Sequence, residues 1–136
     1  MLVIDASAMA EFILGRASAA RIETHLAHHN YELHVPHLLD LEVLSALRGL
    51  TAGGRTSQDR AAQALIDLAE LPLVRHPHDA LLPRIWELRS NFSVYDAAYL
   101  ALAEGLADDG APLLTADDGL ARAARRHTDV EVLVPA

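Results

Sequence analysis

Acidic residues stand at four places where a carboxylate is unexpected. Asp5 follows the apolar run Leu2-Val3-Ile4 and is followed by the small residues Ala6, Ser7 and Ala8. Asp117 and Asp118 follow the strand-like PLL of APLLTADDGLARAA. Glu42 lies in HLLDLEVLSALRGL; on a helix its neighbours three and four residues away are Leu38, Leu39, Ser45 and Ala46, an apolar or small face. Asp96 lies in SVYDAAYLALAE with no basic residue three or four positions away. Each has a local alternative. Asp5 can be the N-cap of the next helix. Ser93 with Asp96, and Thr115 with Asp118, have capping-box spacing. Glu42 can reach solvent past Ser45. Four acids without sequence-local cations are nevertheless hard to read as four unrelated caps. If they converge, two carboxylates about 5 Å apart repel by roughly 3 kcal/mol at an effective dielectric near 20. Several such pairs rival a whole folding stability of about 5–15 kcal/mol. The cluster must then be protonated or hold cations. Oxygen-only ligands suit Mg2+ or Mn2+. A carboxylate cage with one or two such ions activates water and stabilises the oxyanions of a phosphodiester displacement.

The elements that must position these acids alternate. Strands are expected at Leu2–Ile4, Tyr31–Val35, Leu73–Arg75, Pro112–Leu114 and Val130–Val134. Helices are expected at Ala6–Leu14, stopped by Gly15, and from a cap at Ser18 to about Leu26. Others are His37–Leu50, a helix capped by Thr56 with Asp59 and running to about Glu70, His78–Arg89 with Pro83 early in it, Ser93–Leu106, and Asp117–Arg126. Gly53-Gly54 is a break. Strands alternating with helices predict an α/β fold with a mostly parallel sheet. In such sheets the working site lies at the carboxyl ends of the strands. Asp5 and Asp117 both sit there.

The totals set bounds. A chain of 136 residues is expected to form one domain, spanning 1–136. It can bury about two-thirds of the surface its unfolded form exposes. It has no cysteine, which fits a reducing compartment. No run of about 18 apolar residues predicts a membrane span, and Asp5 and Glu11 interrupt the N-terminal apolar residues as a signal peptide would not. A cytoplasmic protein is expected. The net charge of −8 argues against a general nucleic-acid binder. A bound divalent cation would invert that field locally. All eleven basic residues are arginine, the better bidentate partner for phosphate; a GC-rich genome explains the same bias.

Some residues are read as structural. His25 and His29 are four apart on an expected helix but lack a third ligand, and His34 and His37 straddle Pro36. All four are expected to be structural or solvent-facing. Trp86, with Ile85 and Leu82, is expected in core or dimer packing. Arg89, Arg122, Arg125 and Arg126 are candidates for a phosphate-contacting rim, Arg122 and Arg126 lying one turn apart after the last acidic segment and Arg89 being the weaker candidate. For Arg122 and Arg126, favourable charge at a helix C-terminus is an equal alternative.

VIDASAM, LLDLEVLSALR, SVYDAAYLALAE and LLTADDGLARAA, in that order and over nearly the whole chain, resemble the PIN domain. In particular they resemble the VapC toxins of bacterial VapBC toxin–antitoxin pairs. The resemblance implies a three-layer α/β/α sandwich and an endoribonuclease dependent on Mg2+ or Mn2+. Asp5, Glu42, Asp96 and Asp117 match the family's acidic site, with metal ligation as the implied role. Thr115 matches the hydroxyl residue beside the last acid, and Ser7 the small polar residue after the first. Asp118 stands where a basic or neutral residue is expected, which leaves the division of labour with Asp117 open. The LADDGAP stretch is slightly longer than the family's loop there. A homodimer and a cognate VapB-like antitoxin are also implied; its arginine would reach the acidic pocket, neutralise the ligands and displace metal.

Two other functions compete. A PIN-fold RNA-binding module without catalysis shares the fold but has no need of the full acid set. Phosphoryl transfer through an aspartate nucleophile, as in haloacid-dehalogenase-like phosphatases, needs an Asp two residues on, where Ser7 stands, and a lysine, of which there is none.

Overall fold

The computed structural model describes residues 1–136. Strand β1 (Leu2–Ile4) is followed by α1 (Ala6–Ile13) and α2 (Ala19–His28). Then come β2 (Leu33–Pro36), α3 (Leu38–Ala52), α4 (Gln58–Glu70) and β3 (Leu73–His76). A short 3-10 turn at Asp79–Leu81 leads into α5 (Leu82–Glu87), followed by α6 (Val94–Gly105), β4 (Leu113–Leu114), α7 (Asp118–His127) and β5 (Val132–Leu133). The five strands form one sheet in the order β3-β2-β1-β4-β5, every pair parallel.

That order explains the layers. From β1 the chain steps outward through β2 to β3, then crosses back to β4 on the other side of β1. Right-handed crossovers put α1–α4 on one face of the sheet and α5–α7 on the other. The reversal between β1 and β4 is a topological switch point, where a crevice opens beyond the strand ends. The central strands are apolar on both sides for the same reason: Leu2, Val3, Ile4 and Leu33 have no exposed surface. Each such side chain contributes about 1.5–3 kcal/mol of burial.

Local chemistry sets the ends. Gly15 takes a left-handed backbone, φ +63°, just past α1, and Arg16 N–H returns to the Glu11 carbonyl at 3.0 Å. Ser57, not Thr56, caps α4: its hydroxyl accepts from Arg60 N–H at 3.1 Å, so the expected Thr56–Asp59 box does not form. The expected His78–Arg89 helix is shortened because Pro83 fits only a first turn, so helix proper begins at Leu82. The strands beginning at Tyr31 and Val130 are shorter than expected; Tyr31 itself is left-handed, φ +54°, and cannot pair.

Candidate active site

Asp5 leaves β1 with its own N–H still held by the Leu114 carbonyl at 3.1 Å, so the ends of β1 and β4 are one unit. Its Oδ1 accepts from Ala8 N–H at 3.0 Å, which makes it the N-cap of α1, and from Ser7 Oγ at 2.6 Å. Its Oδ2 accepts from the Thr115 hydroxyl. Those two hydroxyls are themselves oriented. Ser7 Oγ accepts from Ala116 N–H at 3.0 Å, and Thr115 Oγ1 accepts from Asp117 N–H at 3.0 Å. Both hydroxyl protons are thus committed to Asp5, and the 3.3 Å approach of Ser7 Oγ to Thr115 Oγ1 is a packing distance. The capping and site roles of Asp5 coincide.

The other acids arrive from three helices. Asp117 caps α7, its Oδ1 accepting from Leu120 N–H at 3.0 Å. The expected Thr115–Asp118 box is therefore absent, and Asp118 is an exposed first-turn residue outside this network. Ser93 caps α6 by accepting from Asp96 N–H at 3.1 Å. This is half a capping box; the Asp96 carboxylate stays out of the cap and faces the crevice. Glu42, in the second turn of α3, accepts at Oε1 from Tyr99 Oη at 2.7 Å. Tyr99 is 1% exposed and was given no role from sequence. Its only signal there was its place one turn after Asp96 on the same helix.

Electrostatics ties the four together. Asp5 is 4% exposed, and burial raises its carboxyl above the ordinary range despite three donors; the charge of Asp117 adds to the rise. Glu42 is raised first by burial, with repulsion from Asp96 and Asp5 in addition and the Tyr99 bond opposing. Asp96 is raised by burial and by the charges of Asp117 and Asp5. Tyr99 is raised by burial and by its bond to Glu42, which keeps it a protonated donor. None of the four acids has an arginine or histidine ion-pair partner.

The donor set is oxygen only, which suits a hard divalent cation. No three acidic or histidine side chains close on one point as a finished ligand set. The acids line an open crevice instead. That arrangement fits Mg2+, which dehydrates reluctantly and keeps several waters between itself and carboxylates. Asp5, Asp96, Asp117 and Glu42 are the residues able to hold it.

Other candidates fall elsewhere. Arg122 is exposed on α7 and bonds to none of the acids. Arg126 lies in the last turn of α7, in a polar cavity with Arg84, Glu104 and Asp129, because the helix carries it away from Asp117. Arg89 stacks over Trp86, its guanidinium 4.2 Å from the ring centre. Trp86 is 63% exposed, so it is not a core residue; Ile85, next to it, takes the inward position on that short helix. His25 and His29 are structural, contacting the carbonyls of Val134 and His25. His34 is not simply a solvent-facing group. It is buried and stacks on His76, Nδ1 to Nε2 2.9 Å, because the β2–β3 register puts both on one face.

A parallel sheet whose switch point gathers acids from the β1 end, α3, α6 and the β4 end defines an α/β protein with an acidic site at its strand ends. Residues 2–126 match the PIN domain, and the chain belongs to the PIN-domain family. Its relatives there are VapC ribonucleases. It is 40% identical over 117 residues to the VapC ribonuclease Mb0985 of Mycobacterium bovis, 86% of each chain being covered. It is 33% identical over 133 residues to ribonuclease VapC12 of Mycobacterium tuberculosis, covering 98% of this chain and 99% of the relative. Among solved structures it is similar to PAE2754 from Pyrobaculum aerophilum, with TM-score 0.67 and 25% identity over 96% of this chain and 81% of that one.

Proposed function

We propose that this chain is the toxin of a type II toxin–antitoxin pair and hydrolyses RNA phosphodiester bonds with Mg2+ or Mn2+ held in the acid crevice. The observation that carries the reading is the meeting of Asp5, Glu42, Asp96 and Asp117 without any protein cation among them. The names of its relatives as VapC ribonucleases support the substrate class and the existence of a VapB-like antitoxin.

When bound, the cation supplies a water of lowered pKa and charge to stabilise the phosphate oxyanions. The chain does the rest. Asp5 is fixed by Ser7, Ala8 and Thr115, so its free lone pairs point one way. Tyr99 leaves one Glu42 oxygen free and holds the other. Asp117 lies close enough for its charge to raise both Asp5 and Asp96. This preorganisation spares reorientation of the carboxylates during the reaction.

An apolar groove supports a homodimer: it is lined by Leu38, Leu82, Ile85, Trp86, Val94 and Tyr95, of which Leu82, Trp86, Val94 and Tyr95 are exposed. An RNA substrate and an antitoxin together imply action in the cytoplasm, and no helix of the chain is long and apolar enough to cross a membrane.

The test is cleavage of structured and single-stranded RNAs with Mg2+ or Mn2+, beside Asp96→Asn. Cleavage that requires the metal and is lost in the variant is expected. Equal cleavage by both proteins would sink the site assignment. Metal-independent RNA binding without cleavage would favour the non-catalytic PIN module.

A further inference from the structure

We propose that a basic pocket between the end of α1 and the start of α4 binds a backbone phosphate of the RNA, away from the acid crevice. This rests on the ribonuclease reading and adds a second point of attachment to it. The pocket has a volume of about 500 Å3 and is lined by Arg16, Arg55, Arg60, Thr56 and Ser57, with apolar Leu14 behind them. Elsewhere the arginines with close carboxylates are fully engaged: Arg75 holds Asp40 through two bonds, and Arg84 holds Glu104 and Glu87. Here three arginines line a pocket with no carboxylate in its lining; Glu11 lies 3.2 Å from Arg16 Nε, and Arg60 also borders a neighbouring cavity that holds Asp67 and Glu70. Arg55 and Arg60 have no ion-pair partner. In a chain with 19 acids against 11 arginines, such a concentration runs against the mean charge.

The pocket is also built. The left-handed Gly15 delivers Arg16, and the left-handed Gly54, φ +71°, delivers Arg55. The Arg60 guanidinium is preset by its bond to the Ile13 carbonyl at 2.8 Å, and it keeps further N–H donors for a ligand. Ser57 Oγ accepts from Arg60 N–H, so its own proton is free to donate. The polar groups offered are donors, which fits the non-bridging oxygens of a phosphodiester.

A polyanion also needs such a point. The acid crevice repels RNA except where a cation sits, and the long-range attraction must come from elsewhere on the surface. Helix α1 connects the two places: the nine steps from Asp5 to Leu14 span about 14 Å. That is roughly four nucleotide steps at the 3.4 Å rise of a stacked strand. A strand cut at the crevice and held at the arginines therefore needs a minimum length.

The experiment uses the full chain carrying Asp5→Asn, so that RNA binds without being consumed. Affinity for single-stranded oligouridine of about 20 and of about two nucleotides is measured against salt, with and without Arg16→Ala plus Arg55→Ala. The double variant is expected to bind the long RNA roughly tenfold more weakly, with a salt slope lower by about 0.7. The short RNA is expected to bind equally well to both, and Arg55→Lys to retain the slope. An unchanged slope, or equal losses on both RNAs, would overturn the proposal. So would Arg55-dependent binding of polyglutamate in preference to RNA, which would assign the pocket to an acidic protein segment. If the chain without Asp5→Asn cleaves no RNA and neither form binds any, the ribonuclease reading itself fails. Cleavage that survives intact while the slope stays unchanged removes only the pocket.

Discussion

The acid crevice and the flank around Arg84 both gather carboxylates, and they treat them in opposite ways. On the flank, Arg84 binds Glu104 through Nε at 2.7 Å and Nη2 at 3.1 Å, and Glu87 through Nη1 at 3.0 Å. The two acids push the guanidinium further up, and the charges are settled inside the protein. In the crevice the chain brings hydroxyls, a phenol and N–H groups to its acids but no cation. The lesson is that hydrogen-bond donors orient a carboxylate without neutralising it. A group left oriented and charged is available to something from outside.

Substitutions sharpen that contrast. The largest effect is expected from Asp96→Asn or Asp5→Asn. Cleavage falls by at least about 100-fold, more than is usual for a residue that merely supports a ligand. With Asp96→Asn the metal-free protein at the same time gains resistance to urea, because an unpaired charge is gone; Asp5→Asn loses resistance, because an amide has one acceptor oxygen where Asp5 uses both. A loss of stability from Asp96→Asn would make that acid resemble Glu104 and break the comparison.

Thr115→Val comes next. It strips Asp5 Oδ2 and Asp117 N–H of a partner in a fully buried place. A stability loss of about 1–3 kcal/mol is expected, with cleavage down roughly 10–100-fold. Urea melts and initial rates read both. Retained activity would mean the hydroxyl is only a cap.

Titration probes the same difference without mutation. Asp5, Glu42 and Asp96 are all raised by folding, so the folded state favours their neutral forms. Their stabilising contribution is complete below the unfolded carboxyl pKa of about 4 and is lost as pH rises through the raised folded values. The urea midpoint of the metal-free protein should therefore fall from acid toward neutral pH. Millimolar Mg2+ or Mn2+ should flatten that fall, and a midpoint indifferent to both would contradict the picture.

The smallest effect is on the flank. Arg84→Ala is expected to cost about 0.5–1 kcal/mol, as for a partly exposed ion pair, and to leave cleavage unchanged. A rate loss there would show that the two regions are coupled.

What was legible in the chain follows from range. Asp5, Asp96 and Asp117 announce themselves because each sits at a helix start, and the β/α alternation alone places two of those starts on one edge of a parallel sheet. Glu42 is legible as a carboxylate on an apolar helix face. Tyr99 is not, because its partner Glu42 is 57 residues away and only the tertiary fold joins them. His34 and His76 are hidden likewise, since their stacking depends on β2–β3 register. The Thr56–Ser57 choice failed for a smaller reason: two adjacent hydroxyl residues offer the same cap, and backbone geometry selects between them. For Trp86 the core and dimer-packing alternatives stayed open because a six-residue helix shows too little periodicity to tell its faces apart; its exposure removes the core alternative.

The hydrogen bond from Thr115 to Asp5 joins residues 110 apart in sequence. During synthesis, Asp5 emerges early, but its second donor and the Asp117 carboxylate come near the end of the chain. Closing such a loop is slow relative to forming local helices. The proposed cutting site is therefore among the last features to be assembled, and a prematurely terminated chain lacking β4 has neither Thr115 nor Asp117 to complete it. On the proposed reading, a cognate antitoxin has the whole time of translation to be present before there is an edge to blunt.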